Sequence, residues 1–280
     1  MEMKAEPVLP LLISVPHGGV IIPPEVQAFC RLDMGAILRD GDTWSRQLYD
    51  LESQVLGHVH FPLARAVLDV NRAPGDQPPR NPDGVVKTMT VDGELVWSNP
   101  EGLSKAFVEL LLSKYYEPYH AQLTRAAMNR QVVLALDCHT MLERAPGTSA
   151  NPGERRPLIC LSNRGDARGE QQGGEPLTAP PLLMRSLQKS LQNWFADLAW
   201  DESLEVVTIN SPFKGGFVVE KHGLESGLPW VQVEINRALY LPNPFPYSPV
   251  PAVETLQRIT QIRQRFLGAL AAVIGDRSIQ

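Results

Sequence analysis

The feature that most constrains this chain is a recurring junction, in which short runs of β-branched and aliphatic residues end abruptly in side chains able to bind protons, anions or metals. Leu11–Val15 runs into Pro16-His17-Gly18-Gly19, Ala66–Val70 carries Asp69 and runs into Asn71-Arg72, and Val132–Leu136 runs into Asp137-Cys138-His139-Thr140. Leu158–Leu161, Glu205–Ile209 and Val231–Ile235 share the same strand character. Helix-length amphipathic stretches, Asp40–Leu56, Leu103–Arg130, Pro181–Leu198 and Val253–Ile274, alternate with them. Strands alternating with helices predict an α/β fold whose sheet is mixed, mostly parallel and flanked by helices. In an open sheet of this kind, residues just past the carboxyl ends of strands collect at one edge, where ligands bind. Pro118 is the expected break within Leu103–Arg130, and Thr88–Trp97, turning at Asp92-Gly93, reads as a hairpin excursion.

Three loop-rich stretches, Ala73–Gly84, Arg144–Pro157 and Asn163–Pro181, interrupt this pattern without separating two self-sufficient cores, so residues 1–280 are read as one domain. A net charge of −5, with Lys and Arg scattered singly or in pairs, offers no basic stripe for phosphates and speaks against a nucleic-acid partner. The apolar runs are too short to span a membrane and the first residues lack a signal peptide's pattern, which predicts a cytoplasmic protein. Cys30, Cys138 and Cys160 are far apart and form no Cys-x-x-Cys, so they are expected to be reduced. Neither Gly-x-Ser-x-Gly nor His-Glu-x-x-His occurs, which removes the common serine-hydrolase and zinc-protease signatures.

The junctions supply the candidate chemistry. His17 lies between a proline and two glycines, which suits a tight turn and close approach of a ligand or metal. Strand alternation places Asp137 and His139 on one face, so the carboxylate is expected in the site, as an orienting partner for the imidazole, or as a cap of the turn. Asp40-Gly41-Asp42 opens an amphipathic segment; capping a helix needs one carboxylate and leaves the other for a metal. Two imidazoles, one carboxylate and an open position are the usual makings of a hydrolytic zinc centre. In Val231–Asn236 the apolar and polar residues alternate cleanly, as on an exposed edge strand; if the polar face instead looks into the site, Glu234 is a candidate general base. Lys214, before Gly215-Gly216, and His222 could meet an anion.

Taken in order, Ser14–Gly19, Asp69–Arg72, Asp137–Met141, Asn210–Gly216 and Val231–Leu241 resemble the N-formylglutamate amidohydrolase (deformylase) family, over most of the chain. That family looks related to zinc carboxypeptidases and aspartoacylases, whose Asp-Leu-Asn-Arg signature is similar to Asp69-Val70-Asn71-Arg72. The resemblance implies a zinc-carboxypeptidase-like fold, one Zn2+ held by His17 and His139, Glu234 as the base that activates water, and Asn71 with Arg72 as a clamp for a substrate carboxylate. The carboxypeptidase glutamate ligand would fall at Val20, so the third ligand must come from elsewhere: Asp42, six residues before Leu48-Tyr49, is preferred to Asp40 or Glu25. The implied reaction is hydrolysis of N-formyl-L-glutamate, a small acidic N-acyl amino acid, to formate and L-glutamate in histidine degradation. Its second carboxylate calls for Lys214, His222 or Arg237. The rivals are a zinc deacylase or peptidase acting on another N-acyl amino acid, and a non-catalytic binder of acidic ligands. The oligomeric state is not legible.

Overall fold

Once buried, the backbone groups of the apolar runs must pair with one another, and they do so in a single sheet. The computed structural model describes residues 8–147, 149, 151–246 and 248–276. Its strands are β1 (Leu9–Val15), β2 (Val55–His60), β3 (Leu134–Met141), β4 (Ile159–Ser162), β5 (Val207–Ile209) and β6 (Trp230–Asn236), in the order β2-β1-β3-β6-β4-β5. All neighbours are parallel except β4 and β6. The helices are α1 (Pro24–Gln27), α2 (Met34–Asp40), α3 (Ser45–Leu48), α4 (Lys105–Leu111), α5 (Glu117–Ala127), α6 (Pro181–Phe195), α7 (Phe217–Ser226) and α8 (Val253–Gly275). None of them is long and apolar enough to cross a membrane.

Period-two alternation divides the sheet into two faces. Leu11, Ile13, Leu134, Leu136, Val231, Val233 and Ile235 belong to a core closed by α6 and α8, through residues such as Leu187, Leu191, Phe266 and Leu270. Each such large apolar side chain, fully buried, contributes on the order of 2 kcal/mol. The other face changes character along its length. Its amino-terminal half is apolar, with Leu12, Ala135 and Trp230 packed under Tyr119 and Leu123 of α5 and Val218 and Val219 of α7. Its carboxyl-terminal half carries Ser14, Asp137, His139, Gln232 and Glu234, all buried. The two halves meet at one line across β1, β3 and β6, and the polar half is the floor of the site.

Several expectations are corrected. Ala66–Val70 is buried but forms a turn, with the Val67 and Leu68 amides bonded to Ala64 O, because Asp69 is drawn inward by polar partners. Asp40–Leu56 is not one helix: α2 ends at Asp40, α3 is a single turn, and the unrecognised strand β2 begins at Val55. Asp40 and Asp42 therefore cap nothing; α3 begins after Trp44, at φ 57°. Of the two readings open for Val231–Ile235, the interior strand is the one observed, since β6 is covered on both faces and paired on both sides. Leu103–Arg130 is helical from Lys105 to Ala127, but with a π turn at Leu112–Tyr116 directly before Pro118. The wider turn absorbs the hydrogen bond that proline cannot make. The Thr88–Trp97 excursion turns as expected, with a single bridge between Met89 and Leu95. The three cysteines are free, and Cys138 and Cys160 are buried.

Candidate metal centre and active site

Three donors converge where β1 and β3 end. His17 Nδ1 lies 3.1 Å from His139 Nδ1, and Asp42 Oδ2 lies 3.3 Å from His139 Nδ1 and 3.9 Å from His17 Nδ1. All three residues are buried. On a tetrahedral ion with bonds of about 2.0–2.1 Å the donor-to-donor edges are about 3.3 Å, so this triangle has the right size. The remaining ring nitrogens explain why it faces inward. His17 Nε2 is 2.7 Å from Asp69 Oδ1, and His139 Nε2 is 2.8 Å from Asp137 Oδ2. A carboxylate at each Nε2 places the ring proton there and turns both Nδ1 lone pairs toward each other. Two lone pairs at that separation repel unless a cation or a proton stands between them.

The surrounding charges agree. Burial holds the His17 pKa below the ordinary histidine value despite Asp69. Burial also disfavours charge on His139, but Asp137, then Asp42 and Glu234, outweigh it and raise its pKa well above that value. Asp42 Oδ1 is held by Arg237 Nη2 at 3.1 Å, and Asp42 Oδ2 also accepts the Thr140 amide at 2.9 Å. Among the described residues this is the one group of three or more such donors gathered closely enough for a metal.

The centre opens into a cleft of about 400 Å³ whose lining includes Asp69, Asn71, Arg72, Arg156, Phe213 and Glu234. Register sets His139 directly beside Glu234 on the β3–β6 pair. The Gln232 amide donates to Glu234 Oε1 at 2.9 Å. Burial pushes the Glu234 pKa up to about 7; Asp42 adds to this, while His139 and Arg237 oppose it.

The sequence profile described as N-formylglutamate amidohydrolase matches residues 9–241, from the first strand to just past the last. The chain belongs to the N-formylglutamate amidohydrolase family. This is a family of hydrolases acting on an amide. An N-formylglutamate deformylase of Pseudomonas aeruginosa is 25% identical over 252 residues, covering 86% of this chain and 85% of that protein. The fold resembles the crystal structure of N-formylglutamate amidohydrolase from Ralstonia eutropha JMP134, with TM-score 0.65, 22% identity and coverage of 93% and 92%. It also resembles a gene product of Agrobacterium tumefaciens, with TM-score 0.63, 17% identity and coverage of 96% and 90%.

The structure brings His17, Asp42 and His139 together and separates the other ligand candidates. Asp40 forms a buried ion pair with Lys87, and Glu25 pairs with Lys114 on the surface. Arg72 and Lys214 line the cleft, Arg72 donating to Asp83 at 2.7 Å and Lys214 standing exposed near Gln172. Asn71 also lines it, but its oxygen accepts the Val218 amide at the start of α7. Arg237 reaches the cleft with Nη2 bonded to Asp42 and Nε to Thr140.

His222 lies outside the cleft. It is buried against His120 and stacked on Trp230 with centroids 5.2 Å apart, because α7 turns that face into the sheet. The glycines act differently from expectation too. A Cβ on Gly19 would come within 2.2 Å of the Pro62 backbone, and one on Gly216 within 2.3 Å of the Asn71 amide, so both admit neighbouring protein rather than ligand. Sequence reasoning missed Asp69 as the partner of His17, together with Arg65, Gln232 and Arg156. Asp69 had a signal, as a carboxylate inside an apolar run; Arg156, in a loop, had none.

Proposed function

We propose that this protein hydrolyses the amide bond of N-formyl-L-glutamate, releasing formate and L-glutamate, at a divalent-metal centre held by His17, Asp42 and His139. The observation that carries the reading is the inward convergence of both Nδ1 atoms and Asp42 Oδ2, with each Nε2 already bonded to a carboxylate. Zinc bound there would supply Lewis acidity to the scissile carbonyl and to water.

The chain's own residues supply the rest. Asp69 and Asp137 hold the imidazoles in the tautomer that presents Nδ1, and Arg237 holds Asp42. Glu234 takes a proton from the attacking water and returns it to the departing amine nitrogen, a task suited to a carboxyl group whose pKa lies near neutrality. An amide nitrogen leaves poorly unless it is protonated. Arg72 receives one substrate carboxylate, exchanging Asp83 for it, since its planar fork can bind both carboxylate oxygens.

The test is metal content with activity. Purified protein should hold about one zinc per chain, lose formate release from N-formyl-L-glutamate on chelation, and regain it with zinc. Apo-protein that gains no activity with any divalent metal rejects the metal centre. A higher kcat/KM for N-acetyl-L-glutamate than for the formyl compound rejects the formyl assignment.

A further inference from the structure

Most cations around the cleft already have partners. Arg65 donates to Asp69 and to Asp40 O, Arg72 to Asp83, Arg237 to Asp42 and Thr140, and Arg39 to Asp92 and Glu94. Arg156 is different. Among the described residues its side chain makes no hydrogen bond or ion pair, and its Nε is buried without an acceptor. Its guanidinium carbon lies over the Phe213 ring, 4.9 Å from the centroid. A guanidinium carries five donors and cannot give up its charge; Arg156 is half-buried, and its buried Nε–H, left without an acceptor, is a cost that an arriving anion removes. Burial in fact lowers the Arg156 pKa, with Glu234 acting against that trend.

Both halves of this element are fixed by the fold. Arg156 N donates to Glu143 O at 3.0 Å, and Asn236 Nδ2, two residues beyond Glu234, donates to Arg156 O at 3.3 Å. Ser162 Oγ at the end of β4 donates to Phe213 O at 2.7 Å. The start of β4 lies beside the end of β6, because these strands are antiparallel. Arg156 therefore lines the cleft from beside the β6–β4 pair, and Arg72 from beside Asp69, which holds His17 past the end of β1, with β3 between β1 and β6 in the sheet. Two arginines attached to separate strands of the floor match a substrate with two carboxylates.

We propose that Arg156, backed by Phe213, binds the side-chain carboxylate of the substrate and so sets the preference for dicarboxylic over monocarboxylic N-acyl amino acids; this rests on the reading of the cleft as an N-acyl amino acid site. Arg72 is left with the carboxylate nearest the scissile amide. Arg156 touches substrate without touching the reacting atoms, so its loss should appear in KM and in ligand affinity, with little change in kcat.

The test compares wild type with Arg156→Met and Arg156→Lys on full-length, metal-loaded protein. Binding of L-glutamate and L-glutamine is measured by calorimetry, and hydrolysis of N-formyl-L-glutamate and N-formyl-L-methionine by formate release. Arg156→Met should weaken glutamate binding and raise KM for the formylglutamate at least tenfold, with glutamine binding and formylmethionine turnover within twofold of wild type. Arg156→Lys should recover part of the loss, since it keeps the charge without the fork. Equal losses for charged and uncharged ligands, or a shifted pH profile for all substrates, would make Arg156 a partner of Glu234 and overturn the proposal. Unchanged glutamate binding, or a wild type that binds glutamate no better than glutamine, overturns it as well. Charge-selective binding that depends on Arg156, in a protein without formylglutamate hydrolysis, supports the inference and rejects the hydrolytic reading; hydrolysis with unaltered selectivity in Arg156→Met does the reverse.

Discussion

Replacing Asp137 by Asn would isolate the contribution of one buried carboxylate to metal binding. Asp137 is fully buried, with Oδ2 2.8 Å from His139 Nε2 and Oδ1 accepting from Ser14 Oγ at 2.7 Å. Asparagine has the same shape, so no cavity forms, and only the charge and one acceptor are lost. Two orientations of the new amide are open. With its oxygen toward His139 the tautomer survives, and the loss is that of the carboxylate's polarisation of the ring. With its NH2 toward His139 the ring must accept at Nε2 and carry its proton on Nδ1, the atom that faces Asp42 and His17. Losing such a partner costs about 10- to 100-fold in metal affinity, or roughly 1.4–2.8 kcal/mol at 1.4 kcal/mol per decade. The preserved tautomer belongs at the low end of that range and the inverted one at the high end or beyond. Ser14 favours the first orientation, since its hydroxyl can turn toward Tyr119 OH, 2.7 Å away, and accept from the amide. Zinc Kd from chelator competition gives the magnitude, and the imidazole nitrogen shifts of apo-protein give the tautomer. A folded Asp137→Asn protein whose zinc Kd stays within twofold of wild type would refute the carboxylate–imidazole reasoning.

Glu234→Gln should keep its metal and lose kcat by about 10²- to 10⁴-fold, the usual worth of a positioned acid–base group; normal turnover with full metal occupancy removes Glu234 from the reaction. Arg237→Met should weaken zinc binding several-fold by releasing Asp42 Oδ1; a raised KM with unchanged zinc affinity would return Arg237 to substrate binding. Acid should loosen the support beneath Asp69–Asn71. Burial first, then neighbouring charge, lowers the pKa of His120 to about 3 and of His222 to about 4. Both rings are neutral in the fold while the unfolded chain binds protons below its ordinary histidine pKa, so their stabilisation is complete above about pH 6.5 and declines toward pH 4. For His222 alone the decline between pH 7 and pH 5 is about 2 kcal/mol. Denaturant midpoints at those two pH values, in wild type and His222→Asn, measure it, and identical pH dependence in the two proteins contradicts it.

The legible part of the site was its alternation. Asp137 and His139 share a face because successive strand residues point oppositely, and the same rule sends Gln232 and Glu234 inward from β6. His17 was legible from its place after an aliphatic strand. Asp42 was harder, since Asp40, two residues earlier, had equal claim from local chemistry. What separates them is Lys87, a lysine 47 positions away that pairs with Asp40 in the core. His222 is illegible for a related reason: its place shortly after Lys214 and Gly215-Gly216 suggests an anion site, but α7 turns it onto Trp230, and nothing local to that segment predicts which helix face packs on the sheet.

By itself the amino-acid sequence determined the α/β class, most of the strands, both histidines and the proton-transfer candidate, because backbone periodicity and the residue type at each strand end are local properties. Tertiary structure decided the rest: which acid completes the donor triangle, which carboxylate orients each imidazole, which arginines are already neutralised, and that Arg156 is not. Those outcomes depend on charges brought together from segments tens to more than a hundred residues apart. Electrostatic pairing in a buried site is set by distances of a few ångströms, and only the folded chain establishes such distances.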